Sequence, residues 1–373
     1  MFLFCFHGML VLTMQRETGE KGPSKGRGAR SNQSSRYDSE TRSAFDDGWE
    51  LEDDAPRLRT EILKDATRSI IARNNSPDIS FNQSINPYRG CEHGCIYCFA
   101  RPTHAYLGLS PGLDFETRLF AKPDAARLLT EELRHPAYKP QVIAMGTNTD
   151  PYQPVERDLK ITRSILAVLW EFRHPVSIVT KSALIVRDLD ILSPMAAEGL
   201  TKVFISVTTL DRTLARVMEP RTAAPEKRLA ALKALSQAGI PCGVMTAPMI
   251  PALNDAEMEN ILVAAAEAGV TEAGYTLLRL PLEIKDLFRE WLESELPDRA
   301  RHVMSLIRSM RGGKDYDSEW GKRMTGTGPY AELMAQRFAL AARKLGLNRH
   351  RAHLTCSRFR QPPRPGDQLA LFS

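Results

Sequence analysis

The chain has 373 residues, 43% of them hydrophobic and 25% charged, with a net charge of +5. This is ordinary for a soluble protein with one large core, or a core plus a small accessory domain. So mild a positive charge admits a nucleic-acid partner without arguing for one. Six cysteines in a chain of this length, Cys5, Cys91, Cys95, Cys98, Cys242 and Cys356, argue against the disulfide framework of a small secreted domain.

The opening run MFLFCFHGMLVLTM is too short to span a bilayer, and it lacks the basic flank and cleavage site of a signal peptide. With Met9 and Met14 later within it, it reads as an over-extended start. No other stretch approaches membrane length, so the expectation is a cytoplasmic protein without a membrane partner. Residues 15–50 are poor in apolar side chains, and disorder is expected through residue 50. Residues 51–80 read as a lead-in segment that docks on the main domain.

From residue 81 to 283, apolar strand-like runs alternate with helical patterns. The runs lie near 81–86 and at 141–146, 176–180, 202–208, 241–247 and 273–279. The helical patterns cover 122–134, 157–172, 187–198 (interrupted by Pro194), 225–238 and 255–268. Gly199, Gly239 and Gly269 stand where left-handed caps end helices. This alternation predicts an α/β fold: a partial (β/α)6 barrel of parallel strands with a C-terminal helical extension over 284–346. A basic, Pro-rich tail occupies 347–373, with Arg349, His350, Arg351, His353, Arg358, Arg360 and Arg364 available to phosphates. In such folds the chemistry gathers at the carboxyl ends of the strands.

Just past the first strand stands Cys91-Glu92-His93-Gly94-Cys95-Ile96-Tyr97-Cys98. Three thiolates in one loop can each hold one iron of a cubane cluster, leaving the fourth iron open to a ligand. A zinc site completed by His93 or His104 is the alternative. The competing functional reading is a non-enzymatic nucleic-acid-binding module, stabilised by zinc or by an iron–sulfur centre. Cys242 falls inside an apolar strand and reads as a core residue, whereas Cys356 reads as a free thiol.

The spacing C-x3-C-x2-C, with an aromatic before the last cysteine, resembles the signature of the radical S-adenosylmethionine (SAM) superfamily. The wider stretch NPYRGCEHGCIYCFARPTH resembles the branch that holds spore photoproduct lyase and uncharacterised bacterial relatives. The resemblance runs from about Ser84 to Pro281. It implies a lyase-like radical enzyme with a [4Fe–4S] cluster on Cys91, Cys95 and Cys98. Such an enzyme cleaves S-adenosylmethionine reductively to a 5′-deoxyadenosyl radical, with electrons from a low-potential donor such as flavodoxin or ferredoxin. The substrate is left open, nucleic acid being one class that fits. A photoproduct lyase would also want a hydrogen-donating Cys after the fifth strand, and none is obvious.

The resemblance also implies cofactor contacts at the strand ends. The second strand is followed by Gly146, Thr147, Thr149 and Asp150, which depart from the common Gly-Gly-Glu form. An Asx or Ser/Thr turn is the other reading there. Lys181 comes after the third strand as a cation that either meets a carboxylate or is solvated. Ser206 and Thr208 suit the ribose, Arg221 a carboxylate, and Ile250 the adenine. An ordinary ion pair is the other reading of Arg221. Asn254 reads as a helix N-cap, and Arg279 ends the core within reach of substrate.

Overall fold

The computed structural model describes residues 26–38 and 58–362. The over-extended start, Cys5 and Arg364 lie outside the described residues. Among the described residues ten strands run in order: β1 (Glu61–Lys64), β2 (Ile71–Arg73), β3 (Gln83–Ile85), β4 (Tyr88–Arg89), β5 (Arg118–Ala121), β6 (Ile143–Met145), β7 (Val176–Thr180), β8 (Thr201–Ser206), β9 (Cys242–Met249) and β10 (Glu272–Leu277). Between and after them lie α1 (Asp114–Thr117), α2 (Ala125–Leu133), α3 (Glu156–Leu159), α4 (Ile161–Glu171), α5 (Leu189–Ala197), α6 (Arg212–Met218), α7 (Pro225–Gln237), α8 (Met258–Glu267), α9 (Ile284–Glu295), α10 (Pro297–Ser309) and α11 (Pro329–Lys344).

The main sheet has the order β10-β9-β8-β7-β6-β3-β2. From β3 to β10 every pairing is parallel, and only β2 joins antiparallel. The six runs read from the sequence are therefore six parallel neighbours in chain order, the pattern of a partial (β/α)6 barrel. Burial obeys the pleat: Val176, Ile178 and Thr180 of β7 are buried while Ser177 and Val179 are half-buried. Helix α4 turns Ile161, Ile165, Leu166 and Leu169 inward at helical spacing.

Three details depart from the sequence pattern. The 157–172 helix is two pieces, divided where Lys160 turns left-handed at φ 52°. The first part of the 284–346 helical extension divides before Pro297, whose ring starts α10. Pro194 sits inside α5 without ending it. A second sheet of order β1-β5-β4 was not legible in the pattern.

Residues 26–38 correct the expectation of disorder up to residue 50. Arg27, Gly28 and Ala29 are buried against the cysteine loop. Salt bridges tie Arg30 to Glu295 and Arg36 to Glu283.

The tail is a strap rather than a loose end. Asn348 N donates to Thr271 O, Ala352 N to Glu272, Thr355 N to Gly199 O and Arg360 N to Phe172 O. Those anchors lie at or just before the amino ends of β10, β8 and β7. The strap thus crosses the end of the barrel opposite the cysteine loop. Phe359 seats against Tyr138, Phe172 and His174, with ring centres 5.6–6.3 Å apart. Because Phe359 is half-buried, Phe359→Ala should lower unfolding free energy by about 1–2 kcal/mol in urea titration. An unchanged midpoint would show that the strap contributes nothing.

Candidate active site

The cysteine loop has turns but no strand or helix of its own. Its backbone is held from outside. Cys91 N donates to Phe115 O at 3.0 Å, and Ile96 N to Met218 O at 3.0 Å. Glu92 N donates to the buried Gln153 side chain at 2.8 Å.

Arg101, three residues past Cys98, is wholly buried and donates to the carbonyls of Gly94, Cys95, Pro111 and Gly112. Its partner is the equally buried Glu116, at 2.5 Å. Glu116 also accepts the amides of Gly28 and Ala29. Gly28 lies so near the loop that a Cβ there would stand 1.8 Å from Gly94 O, so only glycine fits.

A second buried pair, Arg228 with Glu219, stands on the other side. Glu219 also accepts the Tyr97 hydroxyl, and Arg228 donates to Ser206 O at 3.1 Å. Arg221 pairs with Glu92 at 3.0 Å.

At the end of β6, Gly146 has φ +91°, and a Cβ there would lie 1.9 Å from Val179 O. Thr147 and the Asn148 amide donate to Asn86. Thr149 donates to Gly90 O. Asp150 accepts from Thr180, from the amides of Tyr152 and Lys181, and lies 3.3 Å from His93 Nδ1. Burial works against its charge, but His93 and these donors hold its carboxyl down at about 2. Both oxygens are thus engaged within the protein. Thr208 Oγ1, past β8, is buried with no partner among the described residues.

Ile250 is buried among Cys95, Ile96, Tyr97 and the α9–α10 side chains. Asn254 does not cap its helix with its side chain. It bridges Thr208 O, Pro248 O and the Ile250 amide, joining the ends of β8 and β9. Lys181 Nζ stands 5.7 Å from the Tyr97 ring centre, and no carboxylate among the described residues pairs with it.

Burial, the Asp150 charge and the neighbouring thiols push Cys91 well above the ordinary thiol range. Burial and Glu219 do the same to Cys95. A bound metal cation would favour the thiolate form of both. Among the described residues, no three His, Cys, Asp or Glu side chains converge as the ligands of one ion must. His104 instead lies with Nε2 2.9 Å from Arg118 O, and its buried ring is held down at about 4. The donor set is three thiols in one loop, which suits a cage of several irons better than one zinc.

A family model described as the radical SAM superfamily matches residues 85–265. An uncharacterized protein of Mycobacterium tuberculosis is 37% identical over 236 residues, covering 63% of this chain and 69% of its own. This chain belongs to the radical SAM superfamily. Another uncharacterized relative, from Methanocaldococcus jannaschii, is 28% identical over 240 residues, covering 64% of this chain and 85% of its own. Spore photoproduct lyase complexed with dinucleoside spore photoproduct has a similar fold. Its TM-score is 0.53 at 17% identity, covering 77% of this chain and 80% of that one.

As a radical SAM protein the chain is an enzyme, so the non-enzymatic module does not stand. The sequence reading missed Arg101, Glu116, Gln153, Glu219 and Arg228. Arg101 had a signal in its closeness to Cys98 and Glu219 in the Glu-Pro-Arg turn that ends at Arg221, whereas Glu116 had none.

Two substitutions probe this geometry. Glu116→Gln leaves Arg101 buried and unpaired, and should lower the stability of the metal-free chain by about 3–5 kcal/mol in urea titration. A loss under about 1 kcal/mol would mean that the pair does not hold the loop. Asp150 titrates from 3.8 unfolded to about 2 folded. It therefore contributes stability above pH 4 that is lost as pH falls toward 2, about 2 kcal/mol in all. Asp150→Asn should flatten that part of the stability–pH curve; an equally steep curve would refute the assignment.

Proposed function

We propose that this radical SAM enzyme holds a [4Fe–4S] cluster on Cys91, Cys95 and Cys98 and cleaves S-adenosylmethionine reductively. The observation that carries the reading is the three-thiol loop at the carboxyl end of a parallel partial barrel. When bound, the cluster and cofactor supply one-electron cleavage of the sulfonium, giving a 5′-deoxyadenosyl radical that takes hydrogen from substrate.

The protein's own residues hold the cofactor. Gly146 and Thr147 form the turn that faces its amino group, while Thr149 and Asp150 commit their oxygens to shaping that turn. Thr208, an orphaned buried hydroxyl, and Ser206 serve the ribose. Ile250 packs on the adenine. Arg221, half-exposed and tied to Glu92 through one nitrogen, offers the rest of its guanidinium to the carboxylate. Lys181 sets a positive charge beside Tyr97 and Cys95.

Electrons come from a low-potential flavodoxin- or ferredoxin-type donor. A reducing cytoplasm suits the thiols. Among the described residues, no helix is long and apolar enough to cross a membrane. A nucleic-acid substrate cannot rest on the tail. The described part of that tail straps the far end of the barrel.

Anaerobic reconstitution should yield about four irons and four sulfides per chain, and reduced protein should convert S-adenosylmethionine to 5′-deoxyadenosine. Cys98→Ala should abolish that conversion. About one zinc per chain without sulfide, or no cleavage from a fully loaded cluster, would sink the proposal.

A further inference from the structure

We propose that Arg279 is an oxyanion-binding residue at the mouth of the site, and that the substrate carries a phosphate or carboxylate group that it receives. The inference rests on the proposed function for its catalytic context only.

Arg279 lies two residues past the end of β10, so it stands at the end of the barrel that bears the cysteine loop. Its guanidinium carbon sits 5.0 Å from the ring centre of Phe99, the residue after Cys98. The first and last parallel strands are at or near opposite ends of the main sheet, yet this contact joins the loops past their carboxyl ends. Phe99 is 44% exposed, so the pair stands at the rim.

Most other arginines around the site are matched to carboxylates. Arg36, Arg101, Arg221, Arg228 and Arg323 all have acidic partners. Arg279 forms no salt bridge among the described residues, and the Asp78 charge acts on it from nearby. Its Nε is buried without a hydrogen bond, and Nη1 reaches only Met324 Sδ, at 3.5 Å. Asp78 is near but is engaged by Arg323 and the Gly321 amide. Arg311 adds a neighbouring positive charge and directs its own donors to Leu278 O and Lys322 O.

A buried charged N–H without an acceptor is costly and rare, and an arriving oxyanion removes that cost. The aromatic face of Phe99 fixes the guanidinium plane. The Nε–Nη2 edge is then the fork that takes phosphate or carboxylate side-on.

The test uses the full-length reconstituted chain, with inorganic phosphate and acetate as separate probes. Binding is followed by calorimetry and by the 15N resonance of the Arg279 Nε–H. At least one probe should shift that resonance. Arg279→Gln should weaken its binding about tenfold or more. Arg279→Lys, which keeps the charge and loses the fork, should fall between. Preference for phosphate assigns a phosphoryl substrate, and preference for acetate a carboxylate one.

The proposal is overturned if neither probe binds, or if Arg279→Gln binds like wild type while folding normally. It is also overturned if the variant loses affinity for S-adenosylmethionine as steeply as for the probe, because Arg279 would then serve the cofactor. Probe binding that persists in a chain unable to cleave S-adenosylmethionine would count against the proposed function alone.

Discussion

Two buried guanidinium–carboxylate pairs, Arg101 with Glu116 and Arg228 with Glu219, give the cysteine loop its shape. A loop without regular structure must find partners for its carbonyls elsewhere. Arg101 supplies them through the fork of its guanidinium. Each pair costs solvation, and each is offset by further hydrogen bonds to fixed backbone groups. The same carboxylates reach outward, Glu116 to residues 28–29 and Glu219 to Tyr97. The chemistry proposed at the thiols thus depends on groups that touch none of the reacting atoms.

The strand ends are bound to this loop by a second set of buried polar groups. Asp150 joins the β6 end to the β7 end and to His93, inside the loop. Asn254 joins the β8 and β9 ends. Gln153 joins the loop amide at Glu92 to the Thr149 turn. Each fixes the spacing of the strands at the end that carries the cysteine loop.

The two ends of the barrel are closed by different means. Apolar packing of α9 and α10 covers the catalytic end beside the loop, with Trp291 donating to Val217 O. The opposite end is crossed by backbone hydrogen bonds of the strap and the Phe359 contacts. Positive charge on the strap is therefore at the end of the barrel away from the cysteine loop, whereas Arg279 lies against Phe99, the residue after Cys98.

The sequence by itself determined the repeat and the cluster motif. Strand and helix periods depend on near neighbours, so the β3 and β6–β10 runs and the glycine helix ends at 199, 239 and 269 were legible. Local spacing likewise put Cys91, Cys95 and Cys98 in one loop, the set proposed to hold the cluster. Only the tertiary structure decided which polar residues serve the site and which serve its frame. Thr147, Thr149 and Asp150 read alike in sequence, yet Asp150 is engaged on both oxygens while Thr208 is left with no partner among the described residues. Glu116 and Glu219 find their arginines nearby in the chain, but the partners that tie them to the loop, the Gly28 and Ala29 amides and the Tyr97 hydroxyl, come from distant segments. Hydrogen-bond partners far apart in the chain carry no local signal, because their pairing is set by where the barrel brings them together.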